Sequence, residues 1–141
     1  DWSNATGKNV EWIWKGQNTL TEMYSSFQAE VEISLKTTMN LELIKSFSTS
    51  ERILVCGQAL SHCVNYTARH LMDNMPGEEG KICLLRDCTA AVTGFEAAGE
   101  EFVRYVEEKG GTICSDSESI FGKYSLGKES GSEKEGYCKC M

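Results

Sequence analysis

Proline and histidine are scarce in this chain, and long apolar runs and clusters of positive charge are missing from it. No apolar stretch approaches the ~18 residues of a membrane-spanning helix, so no membrane partner is expected. The 14 basic residues are outnumbered by 21 acidic ones, for a net charge of −7, and no basic cluster interrupts the acidity. Such a surface repels a polyanion, which sets nucleic acid aside as a partner. The two histidines, His62 and His70, have no third ligand at suitable spacing, so this chain alone predicts no metal site. The single proline, Pro76, lies with two glycines between Met75 and Gly80, which marks a turn.

Cysteine, by contrast, is plentiful. The chain has 7, at positions 56, 63, 83, 88, 114, 138 and 140. The number is odd, and Cys56 and Cys83 sit inside apolar runs, where cysteine behaves as a small core hydrophobe. This is no spaced disulfide framework, and a reducing, cytoplasmic setting fits it best. Cys138 and Cys140 form one CxC with no second pair, a weak metal signal. Glycosylation sequons occur at Asn4 and Asn65; the second falls in a predicted helix, and both read as chance matches. The chain starts at Asp1 with no initiator Met and no apolar leader, which reads as a processed start or a piece of a longer protein. Its 141 residues suffice for one domain.

The hydrophobic pattern predicts an α/β order. Val10 to Trp14 is β-rich and apolar and reads as a strand ending at Lys15-Gly16. A loop or short helix follows over Asn18 to Phe27, then a short extended piece over Glu30 to Leu35. Met39 to Phe47 reads as a helix, with Thr37 or Thr38 as its N-cap. Arg52 to Cys56 is continuously apolar after its first residue, the mark of a strand covered on both faces, and Gly57 ends it. Ser61 to Asn74 reads as a helix capped by Ser61, and Lys81 to Leu85 as a second buried strand. Gly94 to Lys109 is the clearest helix, stopped by Gly110-Gly111, and Thr112 to Cys114 reads as a last short strand. This alternation argues a parallel sheet with helices on its faces, a three-layer α/β/α arrangement. Past Ser115 the chain is rich in Ser, Gly, Lys and Glu, so residues 116–141 read as a mostly disordered tail beyond a domain of residues 1–115.

Ligands of open α/β sheets bind beyond the carboxyl ends of the strands. Lys15, the loop Gly57 to Cys63, and Asp87 all fall at that edge in the predicted order. Cys63 lies in the first turn of its helix, where unpaired backbone N–H groups and the positive end of the helix dipole favour thiolate over thiol. A nearby ammonium such as Lys15 adds to this, and the same N–H groups suit an oxyanion formed by attack on a carbonyl. The alternative readings are plain: Cys63 as one more buried small residue, Lys15 as a solvated strand end, Asp87 as a turn or capping residue. Trp2, Trp12 and Trp14 read as packing aromatics, although Trp12 or Trp14 could wall a pocket.

These residues together resemble a known family. The stretch Ile53 to Ala68, ILVCGQALSHCVNYTA, is similar to the nucleophile segment of the isochorismatase-like cysteine hydrolases, the superfamily that contains nicotinamidases. Its pattern is an apolar strand, Gly-x-Ala, three residues, then Cys-Val and a Thr- or Ala-rich helix, and Gly57, Ala59, Cys63, Val64, Thr67 and Ala68 fit it. Ser61-His62 before the cysteine looks like the nicotinamidase-like branch. Lys15-Gly16 followed by Tyr24-Ser25-Ser26-Phe27 resembles the family's lysine strand and its Tyr-Ser-x-Phe segment. Leu84 to Ala90 with Gly94-Phe95-Glu96 resembles the next strand and helix, and the likeness runs over roughly residues 9–115.

The resemblance implies a triad of Asp, Lys and Cys. Cys63 would be the nucleophile that forms a thioester, Lys15 would keep thiolate and aspartate charged, and the aspartate would carry protons. It implies a cis peptide at Gln58-Ala59, aiming the Ala59 N–H, with that of Cys63, into an oxyanion hole. It also implies that the aspartate, and the ligands of a divalent metal such as zinc, belong to a part of the domain upstream of Asp1. The expectation is therefore the C-terminal part of a nicotinamidase-like amidase acting on a small carboxamide, nicotinamide by default, incomplete at its N-terminal side and inactive alone. Its sheet would lack a central strand and expose an apolar edge prone to aggregation. Homo-oligomerisation is left open. A non-catalytic binding or regulatory protein that keeps the fold is the rival expectation, and a thiol-redox protein a weaker third.

Overall fold

The computed structural model describes residues 2–123 and 138–140. Helix α1 spans Trp2–Thr6 and α2 Leu41–Phe47; strand β1 spans Arg52–Gln58, helix α3 Cys63–Asp73 and strand β2 Ile82–Ala90. Helix α4 covers Glu96–Glu108, strand β3 Thr112–Cys114, helix α5 Ser117–Lys123 and strand β4 Cys138–Cys140. The sheet is parallel with the order β3-β2-β1-β4. The chain is thus α/β, and among its described residues no helix is long and apolar enough to cross a membrane.

Alternation along the strands explains why β1 and β2 read as continuous apolar runs. Ile53, Val55, Ile82 and Leu84 belong to one buried cluster with Val64, Ala68, Leu71 and Met72 of α3 and Phe102 and Val106 of α4. Leu54, Cys83 and Leu85 belong to a second cluster with Ile120 of α5. Successive side chains of a strand point to opposite faces, so both faces are apolar and neither shows a polar alternation. Gly99 of α4 lies close against the loop before α3: a Cβ there would stand 3.1 Å from Leu60 Cδ2 and 3.2 Å from Ala91 Cβ.

Several sequence expectations change. Val10 to Trp14 forms no strand; it is irregular, with Trp12 76% and Trp14 79% exposed. Strand propensity is realised only where a neighbour offers a ladder, and the outer edge of β1 is taken by β4 over Arg52–Leu54. That pairing also closes part of the edge expected to be open. Residues 30–35 form bends and a turn, with Thr37 Oγ1 accepting from the Ile33 and Ser34 N–H groups. The cap of α2 is Asn40, whose side chain accepts from the Leu43 N–H; neither Thr37 nor Thr38 does this. Within the expected tail lie α5 and β4, and residues 124–137 of it fall outside the described residues.

Strand β2 also runs past its expected end at Leu85. Val55 pairs with Leu84 but Gly57 with Thr89, so Arg86, Asp87 and Cys88 are an extra arch in β2. Truncation of the fully buried Phe102 to Ala should lower the unfolding free energy by about 3–5 kcal/mol, measured by urea denaturation of the full-length protein.

Candidate active site

Strand β1 ends in a loop that turns directly into α3. The Gln58–Ala59 peptide bond is cis, and Gly57 has φ of +112°, a conformation suited to glycine. The loop is pinned from several sides. The Leu60 N–H donates to the Ala90 carbonyl, and the His62 and Val64 N–H groups donate to the Ala59 carbonyl. Ser61, read from sequence as the helix cap, instead accepts from the Val92 N–H at 3.0 Å and contacts His62 Nδ1 at 2.8 Å. His62 occupies the cap position without a side-chain capping bond. Among the described residues, neither the Ala59 nor the Cys63 N–H has an acceptor.

Cys63 is a free, partly buried thiol at the first position of α3. Lys15 Nζ lies 3.2 Å from its sulfur. The same ammonium donates to the Met23 carbonyl at 3.1 Å and the Tyr24 carbonyl at 2.6 Å. A lysine has three N–H donors, and these three acceptors match them. The two carbonyls fix the direction of the third hydrogen, which points at the sulfur. Among the described residues no carboxylate pairs with Lys15.

Asp87, the third residue at the expected edge, is not part of this arrangement. It accepts from the backbone N–H and hydroxyl of Ser117, at 2.9 and 2.8 Å, and so caps α5. Those bonds hold its carboxyl below the usual range. Asn65 is buried and accepts from Arg69 Nε at 2.6 Å. Among the described residues no three His, Cys, Asp or Glu side chains come together as a metal site.

Two further groups stand at the site; Tyr66 was not singled out from sequence, and the others were named only as motif matches or, for His62 and His70, also as metal ligands set aside, without the contacts they make. The first is aromatic: Tyr24 lies 5.8 Å from the His62 ring and 5.4 Å from Tyr66, and His62 meets Phe95 edge-on at 4.9 Å. All but His62 are more than a third exposed, so they form a wall open to solvent beside Cys63. The second is polar: Thr67 Oγ1 accepts from the Ser26 N–H at 3.0 Å, and His70 Nδ1 contacts Ser25 Oγ at 2.9 Å. The spacing of Cys63, Thr67 and His70 along one helical stripe was the available signal.

Comparison with family models, with curated proteins and with solved structures gave no match.

Two measurements follow from this geometry. Lys15→Ala should slow iodoacetamide labelling of Cys63 near neutral pH by about tenfold, read by mass spectrometry; an unchanged rate means that Lys15 does not act on the sulfur. His70 is held below its ordinary value of 6.5 by burial, against the charges of Glu30 and Asp73, which pull it up. The unfolded chain then binds the extra proton first, so stability is lost as pH falls from about 6.5 toward the folded-state value. Urea unfolding at about pH 7.5 and about pH 5.5 should show a smaller loss in His70→Asn than in the wild type.

Proposed function

We propose that this chain is part of an isochorismatase-like hydrolase of three-layer α/β/α fold, and that it acts as a nicotinamidase-like amidase with Cys63 as nucleophile. The observation that carries this reading is the Lys15 ammonium 3.2 Å from the Cys63 sulfur, at the first turn of α3. An ammonium and a helix N-terminus both stabilise the thiolate form that attacks a carbonyl. The aromatic wall of Tyr24, His62, Tyr66 and Phe95 supports a flat, aromatic acyl group, and nicotinamide is the default.

The chemistry follows acyl transfer. The thiolate sulfur bonds to the amide carbon, and the carbonyl oxygen becomes an oxyanion. The N–H groups of Ala59 and Cys63 are the donors for that oxygen. The oxyanion collapses and the carbon–nitrogen bond breaks, ammonia leaving with a proton delivered by an acid; water, giving a proton back to the conjugate base of that acid, then attacks the thioester and frees the carboxylic acid and the thiolate. The acid is the one group this sequence of steps needs that the described residues do not supply. A divalent metal such as zinc belongs to the family expectation for the complete protein.

Cys63→Ala in the full-length protein should abolish ammonia release from nicotinamide, followed by a coupled ammonia assay. Ammonia release that survives the substitution would sink the nucleophile assignment. A wild-type protein that binds nicotinamide without releasing ammonia would favour the non-catalytic reading of the same fold.

A further inference from the structure

Cys63, Thr67 and His70 stand at i, i+4 and i+7 of α3, one stripe of the helix. Each touches a different point of a single irregular stretch. Cys63 Sγ meets Lys15 Nζ, Thr67 Oγ1 takes the Ser26 N–H, and His70 Nδ1 meets Ser25 Oγ. Ser25 and Ser26 directly follow Met23 and Tyr24, whose carbonyls hold the Lys15 ammonium. From Gly7 to Asn40 the chain has no helix or strand, so no local secondary structure fixes those carbonyls. Within the stretch the Glu30 N–H donates to the Glu22 carbonyl and Phe27 is buried, and from outside it α3 holds the next two residues across more than 40 residues of sequence.

We propose that Thr67 and His70 are positioning residues which, by gripping Ser26 and Ser25, set where the Lys15 ammonium stands relative to the Cys63 sulfur. The inference rests on the reading of Lys15 as the cation that supports the Cys63 thiolate. It adds two residues to that reading, both acting through the backbone of a neighbouring segment.

The hydrogen-bond inventory gives the contact a direction. Ser25 is wholly buried, and its hydroxyl oxygen already accepts from the Phe27 N–H at 3.0 Å. Its own hydrogen is therefore free to donate to an unprotonated Nδ1, which assigns the Nε2–H tautomer to a neutral His70. When His70 is protonated, Nδ1 brings a hydrogen of its own. The Ser25 hydroxyl hydrogen then has no acceptor at a site closed to water, and the contact loosens. The charges that His70 feels are the Glu30 carboxylate from the stretch after Ala29 and the Asp73 carboxylate one turn on along α3; both favour the proton, and burial opposes it. The burial of Ser25 also rules out a second nucleophile, since no substrate reaches its oxygen.

The test is the pH profile of Cys63 alkylation by iodoacetamide in the full-length protein. Thr67→Val and His70→Leu should each slow labelling by about tenfold at neutral pH and move the profile about one unit upward. Thr67→Ser and His70→Asn, which keep an acceptor at the same place, should label like the wild type. Thr67→Val combined with Lys15→Ala should be no slower than Lys15→Ala alone, because both act on one interaction; a merely structural lesion would add. Should Thr67→Val fail to fold, His70→Leu carries the same test alone. Wild-type profiles in Thr67→Val and His70→Leu, with Lys15→Ala slowed, overturn this inference and leave the nucleophile reading standing. A wild-type profile in Lys15→Ala overturns both.

Discussion

The three hydrogens of the Lys15 ammonium are divided between two carbonyls of its own loop and one sulfur on a helix, and the candidate site depends on that division. A lysine reaching a cysteine unaided would sample many rotamers and lose up to about 2 kcal/mol of side-chain entropy on being fixed. Here the carbonyls of Met23 and Tyr24 select one direction for it. The residues around them, Ser25, Ser26 and the Tyr24 ring, are seated on α3. The helix thus carries the thiol, the dipole behind it and a seat for the segment that holds the ammonium facing it. The sheet in turn fixes the helix, through Val64, Ala68, Leu71 and Met72 against Ile53, Val55, Ile82 and Leu84.

The elements closest to the site were the most legible ones. The continuous apolar runs at 52–56 and 81–85 marked strands buried on both faces, although β1 runs on through Gly57 to Gln58 and β2 to Ala90. Their order along the chain put Cys63 at a strand-to-helix join, and the structure has it at the first residue of α3. Lys15 could be paired with Cys63 only by the order of motifs, since nothing local connects residues 48 positions apart. The 3.2 Å contact is knowledge that belongs to the folded chain.

Other features were illegible for physical reasons. Val10 to Trp14 has the composition of a strand, but composition does not say whether a partner strand stands beside it. Thr67 was legible only as a match to the family pattern and His70 only as a metal ligand to set aside, because the Ser26 N–H and Ser25 hydroxyl that they meet lie more than 40 residues away in sequence. Ser61 was misread as a cap for a related reason. A serine before a helix usually satisfies the helix's own N–H groups, whereas this one is claimed by the Val92 N–H of the loop after β2.

The arch of Arg86, Asp87 and Cys88 in β2 has a mechanical consequence. Before it, β2 keeps register with the buried middle of β1; after it, Thr89 and Ala90 pair with Gly57 and Gln58, and Ala90 also holds the Leu60 N–H. The arch itself is tied outward, Arg86 to Glu100 of α4 and Asp87 to Ser117 of α5. Extra chain in the strand therefore sits between the rim that frames the loop of residues 57–63 and the outer helices. The loop that carries Cys63 is thus kept in step with β1 by Thr89 and Ala90, on the far side of the arch from the ties to the outer helices.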